Sequence, residues 1–250
     1  MKVTVLIPMY NESAILPDTL ARLSSYARKT FEGGYELLFV DDGSTDGSAE
    51  IVEAFSDEAV RLLRYAPNRG KGCAVRTGML EARGEHILFT DCDLAYGTGA
   101  LGELYALMQA SPGVDVAVAS RALHPAGYEG YSVFRRLLSR AYCRLLRLFF
   151  GLRLSDSQSG LKGFTQKAAT AIFSRCQTDR FAFDFEAIMI GERLGLRFAE
   201  LPARVVSNRR RGKLHPLRDS LRMLKDLPAI ARRVRRLQPQ GRPTVHQSKK

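Results

Sequence analysis

Residues 86–93 read HILFTDCD, an apolar run that stops at two aspartates one residue apart. Ile87, Leu88 and Phe89 suit the end of a buried strand, and Asp91 and Asp93 stand where that strand would surface. Two upstream stretches share the design. VLIPMYNES at 5–13 and LLFVDDGSTDGS at 37–48 are also nearly continuous apolar runs that end in polar, acidic turns. Strands buried on both faces of a parallel sheet read this way. In an open α/β sheet ligands bind at the carboxyl ends of the strands, so these three turns should converge on one crevice.

Outward from that stretch, strands are expected at 3–8, 35–41, 60–65, 86–91 and 115–120. Helical patterns fall between them at about 14–29, 46–55, 71–82 and 98–109. This alternation predicts an α/β fold with a mostly parallel central sheet flanked by helices. At 250 residues the chain is long enough to bury a substantial core, and 45% apolar with 26% charged residues is ordinary for a soluble globular protein. Four widely spaced cysteines, without a CxxC pair, argue against a disulfide framework or a zinc site. The start, MKVTVLIPMY, is too short in its apolar part for a signal peptide, and no run approaches a spanning helix. A cytoplasmic protein is expected, able to lie on a membrane without crossing it.

The net charge of +12 is placed unevenly. Residues 204–250 hold 15 Lys and Arg against 2 Asp and Glu, whereas the preceding 203 residues are nearly balanced. A basic tail suits nucleic acid or an anionic membrane face. Nucleic acid is disfavoured: the tail is poor in aromatic residues and carries no recognised binding motif. Residues 121–153 contain seven arginines and one acid. Arg135, Arg136, Ser139, Arg140, Arg144 and Arg147 recur at helical intervals beside Leu137, Leu138, Leu145 and Leu146, predicting a basic amphipathic helix over 133–150. A second is expected over 216–237. Such helices can lie in a membrane interface or turn an apolar stripe to the core, and the pattern leaves both open. The expected division is a catalytic domain at 1–215, the amphipathic helix at 216–237 and a disordered tail at 238–250.

The motifs point to phosphate chemistry. Asp91 and Asp93 could cap a helix or form a loop ion pair. As two hard oxygen ligands at a strand end they also suit Mg²⁺ or Mn²⁺, which usually keep waters and share substrate phosphates. Asp41 and Asp42 could accept hydrogen bonds from a nucleobase and a ribose, whereas Asp46 is expected to cap the next helix with support from Glu50. Asn68-Arg69-Gly70-Lys71-Gly72 is a basic Gly-rich turn before a helix, suited to phosphate. It matches neither GxxxxGK[ST] nor GxGxxG, which removes the main signals for phosphate-loop NTPases and dinucleotide oxidoreductases.

VLIPMYNES, VDDGSTDGS, NRGKG and DCDL, in this order, resemble the nucleotide-sugar half of family 2 glycosyltransferases with the Rossmann-like GT-A fold. VAVASRA (116–122), FRRLLSR (134–140), DSQSGLKGF (156–164), FAFDFEAI (181–188) and PLRDSLRMLKDL (216–227) are similar to polyprenyl- and dolichyl-phosphate sugar synthases. Within these, the dolichyl-phosphate β-glucosyltransferase branch is nearest. The resemblance implies that Pro8, Tyr10, Asn11, Glu12 and Asp42 hold the nucleoside, with Asp41 beside them. It further implies that Asp91 and Asp93 bind the metal and sugar diphosphate, and that Arg121, Arg135 and Ser139 meet a lipid phosphate. Gln158, Lys162, Asp184 and Glu186 would line the sugar and acceptor region. The implied donor is UDP-glucose before GDP-mannose, and the implied acceptor is a polyprenyl phosphate reached from the membrane surface. A saccharide or other non-lipid acceptor is the alternative. The DxD continuation Leu-Ala-Tyr departs from some mannosyl relatives, which place Gln where this chain has Ala95. A phosphomonoester already carries about −1.5 to −2 charges near neutral pH, so it can attack the anomeric carbon without a strong base. In-line attack would invert that centre.

Overall fold

Along β1 (Val3–Met9), Val3, Val5, Ile7 and Met9 enter one hydrophobic cluster and Leu6 enters another. β2 (Tyr35–Asp41) divides likewise, with Leu37 and Phe39 on one side and Leu38 and Val40 on the other. A strand shows its side chains to opposite faces in turn, so two cores on one sheet follow from consecutive apolar residues. This computed structural model describes residues 1–129, 131, 133–206, 216–238 and 247–248, without the side chains of 133–135, 138, 216–223 and 247–248.

The remaining strands are β3 (Val60–Arg64), β4 (His86–Thr90), β5 (Val116–Ser120), β6 (Leu161–Thr165), β7 (Phe198–Pro202) and β8 (Gln247–Ser248). The helices are α1 (Leu16–Thr30), α2 (Ser48–Glu53), α3 (Lys71–Glu81), α4 (Gly99–Ala110), α5 (Val133–Phe150), α6 (Gln166–Phe173), α7 (Phe183–Arg193) and α8 (Pro216–Arg235). The strands form one sheet in the order β3-β2-β1-β4-β6-β5-β7-β8. All pairings are parallel except those of β6, which runs antiparallel to both β4 and β5. α1, α2 and α4 cover one face; α3, α6, α7 and part of α8 cover the other.

The expected α/β architecture is thus present, with element ends displaced by a residue or two. The second helix begins at Ser48, two residues later than expected, because Gly47 takes the left-handed conformation at φ +84°. The reversed strand matters most for the site. Thr90 faces Leu161 across the β4–β6 pairing, and Lys162 faces Val118 across β6–β5. The loop entering β6 therefore arrives at the same sheet edge at which β4 and β5 end, between Asp91 and Arg121.

The two basic helices resolve differently. In α8, Leu227, Ile230, Ala231 and Val234 are buried in the core over α7. In α5, Leu146 is buried while Leu137, Leu148 and Phe149 are exposed. Among the described residues no helix is long and apolar enough to cross a membrane. Of the expected tail, 247–248 pair with β7 as β8, and 239–246 and 249–250 lie outside the described residues.

Candidate active site

The turns after β1 and β2 are knitted together. Asn11 takes a positive φ of 53°, a conformation its short polar side chain tolerates. Its N–H donates to Ser44 Oγ at 2.9 Å and its Oδ1 accepts from Thr45 N at 2.8 Å. Glu12, buried, donates its N–H to Ser48 Oγ at 2.9 Å, and its carbonyl accepts the first amides of α1. Asp46 accepts from Ser13 N and Ser48 N, both at 3.1 Å. Burial opposes its ionisation, but these bonds and one from Ser48 Oγ outweigh it and hold the carboxyl at about 2. Asp46 thus braces the start of α2 from outside the helix, while Glu50 pairs with Arg64 at 3.2 Å rather than supporting that cap. Pro8 is buried within β1, and Tyr10 projects, 44% exposed, beside it.

Asp42 has a structural role that the sequence did not show. Its Oδ2 accepts from Asn68 Nδ2 and Gly70 N, and its Oδ1 from Arg69 N, all at 2.8 Å. A buried carboxylate so engaged fixes the basic turn at 68–70, and this is its visible role. Asp41, fully buried, accepts from Ser44 N at 3.0 Å. Its Oδ2 lacks a hydrogen bond, although Arg64 Nε lies 3.3 Å away as an ion pair.

That turn delivers Lys71, the first residue of α3, to Asp91: Lys71 Nζ contacts Asp91 Oδ1 directly. Asp93 is buried, and its Oδ1 accepts from Ala95 N at 3.2 Å. Leu94 between them has φ +49°, a strained backbone for a side chain of this type, held by a fully buried leucine side chain. Cys92 turns its side chain into the core, and its carbonyl accepts from Thr19 Oγ1 at 2.8 Å. Two carboxylates without a thiolate or imidazole fit Mg²⁺ or Mn²⁺. Among the described residues no third His, Cys, Asp or Glu joins them, which leaves positions for waters and diphosphate oxygens, the usual arrangement for these ions.

Loop 155–160 connects this carboxylate pair to an arginine. At one end, a Cβ on Gly160 would lie 2.3 Å from Asp91 Oδ2. At the other end, Asp156 accepts from Arg121 through Nε at 2.6 Å, Nη2 at 2.8 Å and the backbone N at 3.1 Å. Burial opposes the charge on Asp156, and the Arg121 bonds outweigh it and keep the carboxyl below its usual range. Arg121 lies beside the Tyr128 and Tyr131 rings, which meet edge to face, with Nη1 3.4 Å from Tyr131 Oη. Tyr128 Oη is 3.5 Å from Ser139 Oγ, bringing α5 to the same place. The side chain of Arg135 lies outside the described residues.

Gln158 carries a buried Nε2 with no hydrogen-bond partner, as does Oγ of Ser157. Lys162 and Asp184 do not line an open surface: they form a buried pair at 2.6 Å, and Lys162 Nζ also donates to Ser159 O at 2.5 Å. Burial raises the Asp184 carboxyl, offset in part by Lys162 and Lys71. Glu186 is a further correction. It is fully buried and bound to Arg233 of α8, because α7 turns it away from the sheet edge into the α7–α8 contact.

Asp156 is the functional candidate that reading the residues missed. It opens DSQSGLKGF, yet a single acid before a polar loop gives no sign that its partner lies 35 positions upstream. The close approach at Gly160 was equally hidden. Gly160→Ala is expected to displace Asp91 and raise the Mn²⁺ concentration for half-maximal activity by about 10–100-fold, the usual cost of disturbing a ligand's support. A Mn²⁺ titration superimposable on that of the parent chain would show that the close approach of Gly160 does not set Asp91 for the metal.

Comparison with known proteins identifies the family. The pattern of Glycosyl transferase family 2 matches residues 4–173. A dolichyl-phosphate beta-glucosyltransferase of Drosophila melanogaster is 35% identical over 82% of this chain and 67% of its own length. The Homo sapiens protein of that name is 32% identical over 90% of this chain and 74% of its own length. Among solved structures, glucosyl-3-phosphoglycerate synthase from Mycobacterium tuberculosis, in complex with Mn²⁺, UDP-glucose and phosphoglyceric acid, superposes with a TM-score of 0.71 at 19% identity, over 92% of this chain and 79% of that one. That likeness shows the shared GT-A fold. With the family pattern covering two thirds of its length and the carboxylate pair at the end of β4, the chain belongs to glycosyl transferase family 2.

Proposed function

We propose that this glycosyltransferase moves a hexosyl group, glucose before mannose, from a nucleotide-sugar donor to the phosphate of a polyprenyl phosphate at a membrane surface. The observation that carries the reading is loop 155–160, which touches Asp91 at one end and grips Arg121 at the other. A donor diphosphate and an acceptor phosphate are both anionic, and bringing them together demands separate cationic partners a short distance apart. The names of the relatives, dolichyl-phosphate beta-glucosyltransferases, support the same donor and acceptor classes.

Tyr10, Asn11 and Glu12 would hold the nucleoside with Asp41, above a floor that includes Pro8. Asp91 and Asp93 would hold Mg²⁺ or Mn²⁺, which would supply positive charge to the departing diphosphate. Lys71, already at Asp91, adds a protein cation beside that leaving group. Arg121, fixed by Asp156, presents its remaining edge to the acceptor phosphate, with Ser139 and Arg135 one helical turn apart on α5. Gln158 offers an amide in the connecting loop to the sugar or acceptor, and the Lys162–Asp184 pair braces that loop from below. Attack by an ionised phosphate oxygen needs positioning and charge neutralisation more than a base.

The exposed face of α5 supports a peripheral place on the cytoplasmic membrane surface. Leu148 and Phe149 are 71% and 69% exposed, and the helix carries five arginines and no acid. An open groove of about 520 Å³ runs between Phe149 and Phe150 on one side and, on the other, Arg236 and the α8 residues Pro228, Ala231, Arg232 and Arg235. Apolar side chains ringed by arginine suit an anionic lipid interface. The test supplies purified chain with Mn²⁺ and polyprenyl phosphate in anionic vesicles, and either UDP-glucose or GDP-mannose. UDP-glucose should yield the β-linked lipid product, with vesicle binding that weakens as salt rises. Transfer from GDP-mannose alone would reverse the donor, and transfer only to water-soluble phosphorylated acceptors would overturn the lipid.

A further inference from the structure

Arg233, near the end of α8, reaches inward to Glu186 of α7. Its Nε donates to Glu186 Oε1 at 3.1 Å, its Nη2 meets the same oxygen, and Nη2 also donates to Thr178 Oγ1 at 3.2 Å. The other oxygen of Glu186 accepts the amides of Gln177 and Thr178, at 3.0 and 2.7 Å. One fully buried carboxylate therefore joins α8 to the segment 177–180.

That segment lies against the start of α3. Asp179 O accepts from Cys73 N at 3.1 Å, and the Asp179 carboxylate accepts from Arg76 Nη2 at 2.6 Å. The contact is close enough to require glycine: a Cβ on Gly72 would fall 2.4 Å from Thr178 O. Lys71 sits immediately before Gly72 and touches Asp91. A continuous chain of hydrogen bonds and close packing thus runs from α8 through Glu186 and 177–180 to the lysine beside the DxD carboxylates. Arg193 closes the other side of α8, donating to Leu237 O at 2.9 Å and Arg235 O at 3.1 Å.

We infer that Glu186 and Arg233 are positioning residues for the donor diphosphate, setting Lys71 through segment 177–180, so that the seating of α8 and the binding of donor are linked. The inference rests on the donor-site reading above. Substrate does not touch either residue; their action is to hold α3 where Lys71 meets Asp91. A break in this chain lets α3 retreat, and the diphosphate loses a cation at its best distance. Linkage makes the effect reciprocal: whatever seats α8 tightens donor binding, and donor binding steadies α8.

The test uses the full chain, UDP and Mn²⁺. Glu186→Gln and Arg233→Lys retain most of the packing but lose the paired charge or its two-pronged geometry. Each should weaken UDP binding by calorimetry about ten-fold and raise KM for UDP-glucose more than it lowers kcat. A latch that only stabilised the fold would lower Tm and leave UDP affinity unchanged, and that result overturns the inference. Hydrogen exchange in the parent chain is independent of how the variants fold. Added UDP and Mn²⁺ should slow exchange in 177–180 and 227–236, and absence of that protection in a chain that binds UDP also overturns it. A parent chain that fails to bind UDP with Mn²⁺ would sink the donor-site reading itself, and the linkage with it.

Discussion

Replacing Asp93 by asparagine is expected to lower kcat by about 10²–10³-fold, the scale on which loss of one preorganised charge-stabilising contact acts. Asn keeps the shape of the side chain and an oxygen for the Ala95 amide, so the strained turn at Leu94 should survive and far-UV circular dichroism should not change. What is lost is one of two carboxylate charges at the site where a divalent ion would meet the donor diphosphate. Asp91→Asn should be as damaging, with a second consequence. Lys71, partly buried against Asp91 and 5.3 Å from the centre of the Phe89 ring, loses its ionic partner. Asp91→Asn should therefore weaken UDP binding in Mn²⁺ more than Asp93→Asn does. The measurement is a Mn²⁺ titration of turnover and of UDP affinity for each variant beside the parent. Metal-dependent turnover retained at parental level in both would remove the two aspartates from the site.

Much of this site was legible because strand chemistry and site chemistry meet at adjacent residues. The apolar runs before Met9, Asp41 and Asp91 marked buried parallel strands, and their polar endings marked one sheet edge. NRGKG could be placed at phosphate because a basic Gly-rich turn opened a helical pattern. Contacts between distant segments were not legible. Asp42 stood out as an acid at a strand end, but not its hold on the 68–70 turn, which folds back to donate to its oxygens. Glu186 shared a motif with Asp184, yet two residues along a helix is about 200° of rotation, enough to send one acid toward Lys162 and the other toward Arg233. The apolar stripe of α8 had two readings, and only packing could choose the core for Leu227, Ile230 and Val234. Antiparallel β6 was the largest omission. LKGFT is short, with Lys162 and Gly163 interrupting its apolar pattern, and the direction of a strand depends on its partners.

Asp156→Asn is expected to cost about 3–5 kcal/mol of stability, the usual scale for breaking a buried ion pair by removing one charge. Arg121 gives three hydrogen bonds to this carboxylate and packs beside the Tyr128 and Tyr131 rings. Asparagine can accept at only one end, so the guanidinium loses its two-pronged hold and turns beside the two tyrosines. Acceptor kcat/KM should fall about 10–100-fold, the value of one charge-assisted contact of ~1.5–3 kcal/mol. UDP affinity should hardly move, since Asp42, Lys71 and Asp91 are untouched. The same pair has a signature in pH. An unfolded aspartate titrates near ~3.9, and the folded Asp156 carboxyl lies lower. Its contribution to stability is therefore complete above the unfolded value and is lost as pH falls from there through the folded one. Chemical denaturation at a series of pH values from neutral to acid should show a steeper acid loss in the parent chain than in Asp156→Asn. An unchanged acid limb would remove the charge from the account of the pair. A fall in UDP affinity equal to the fall in acceptor kcat/KM would show that Arg121 serves the donor, and the acceptor phosphate would then have to be sought farther along α5.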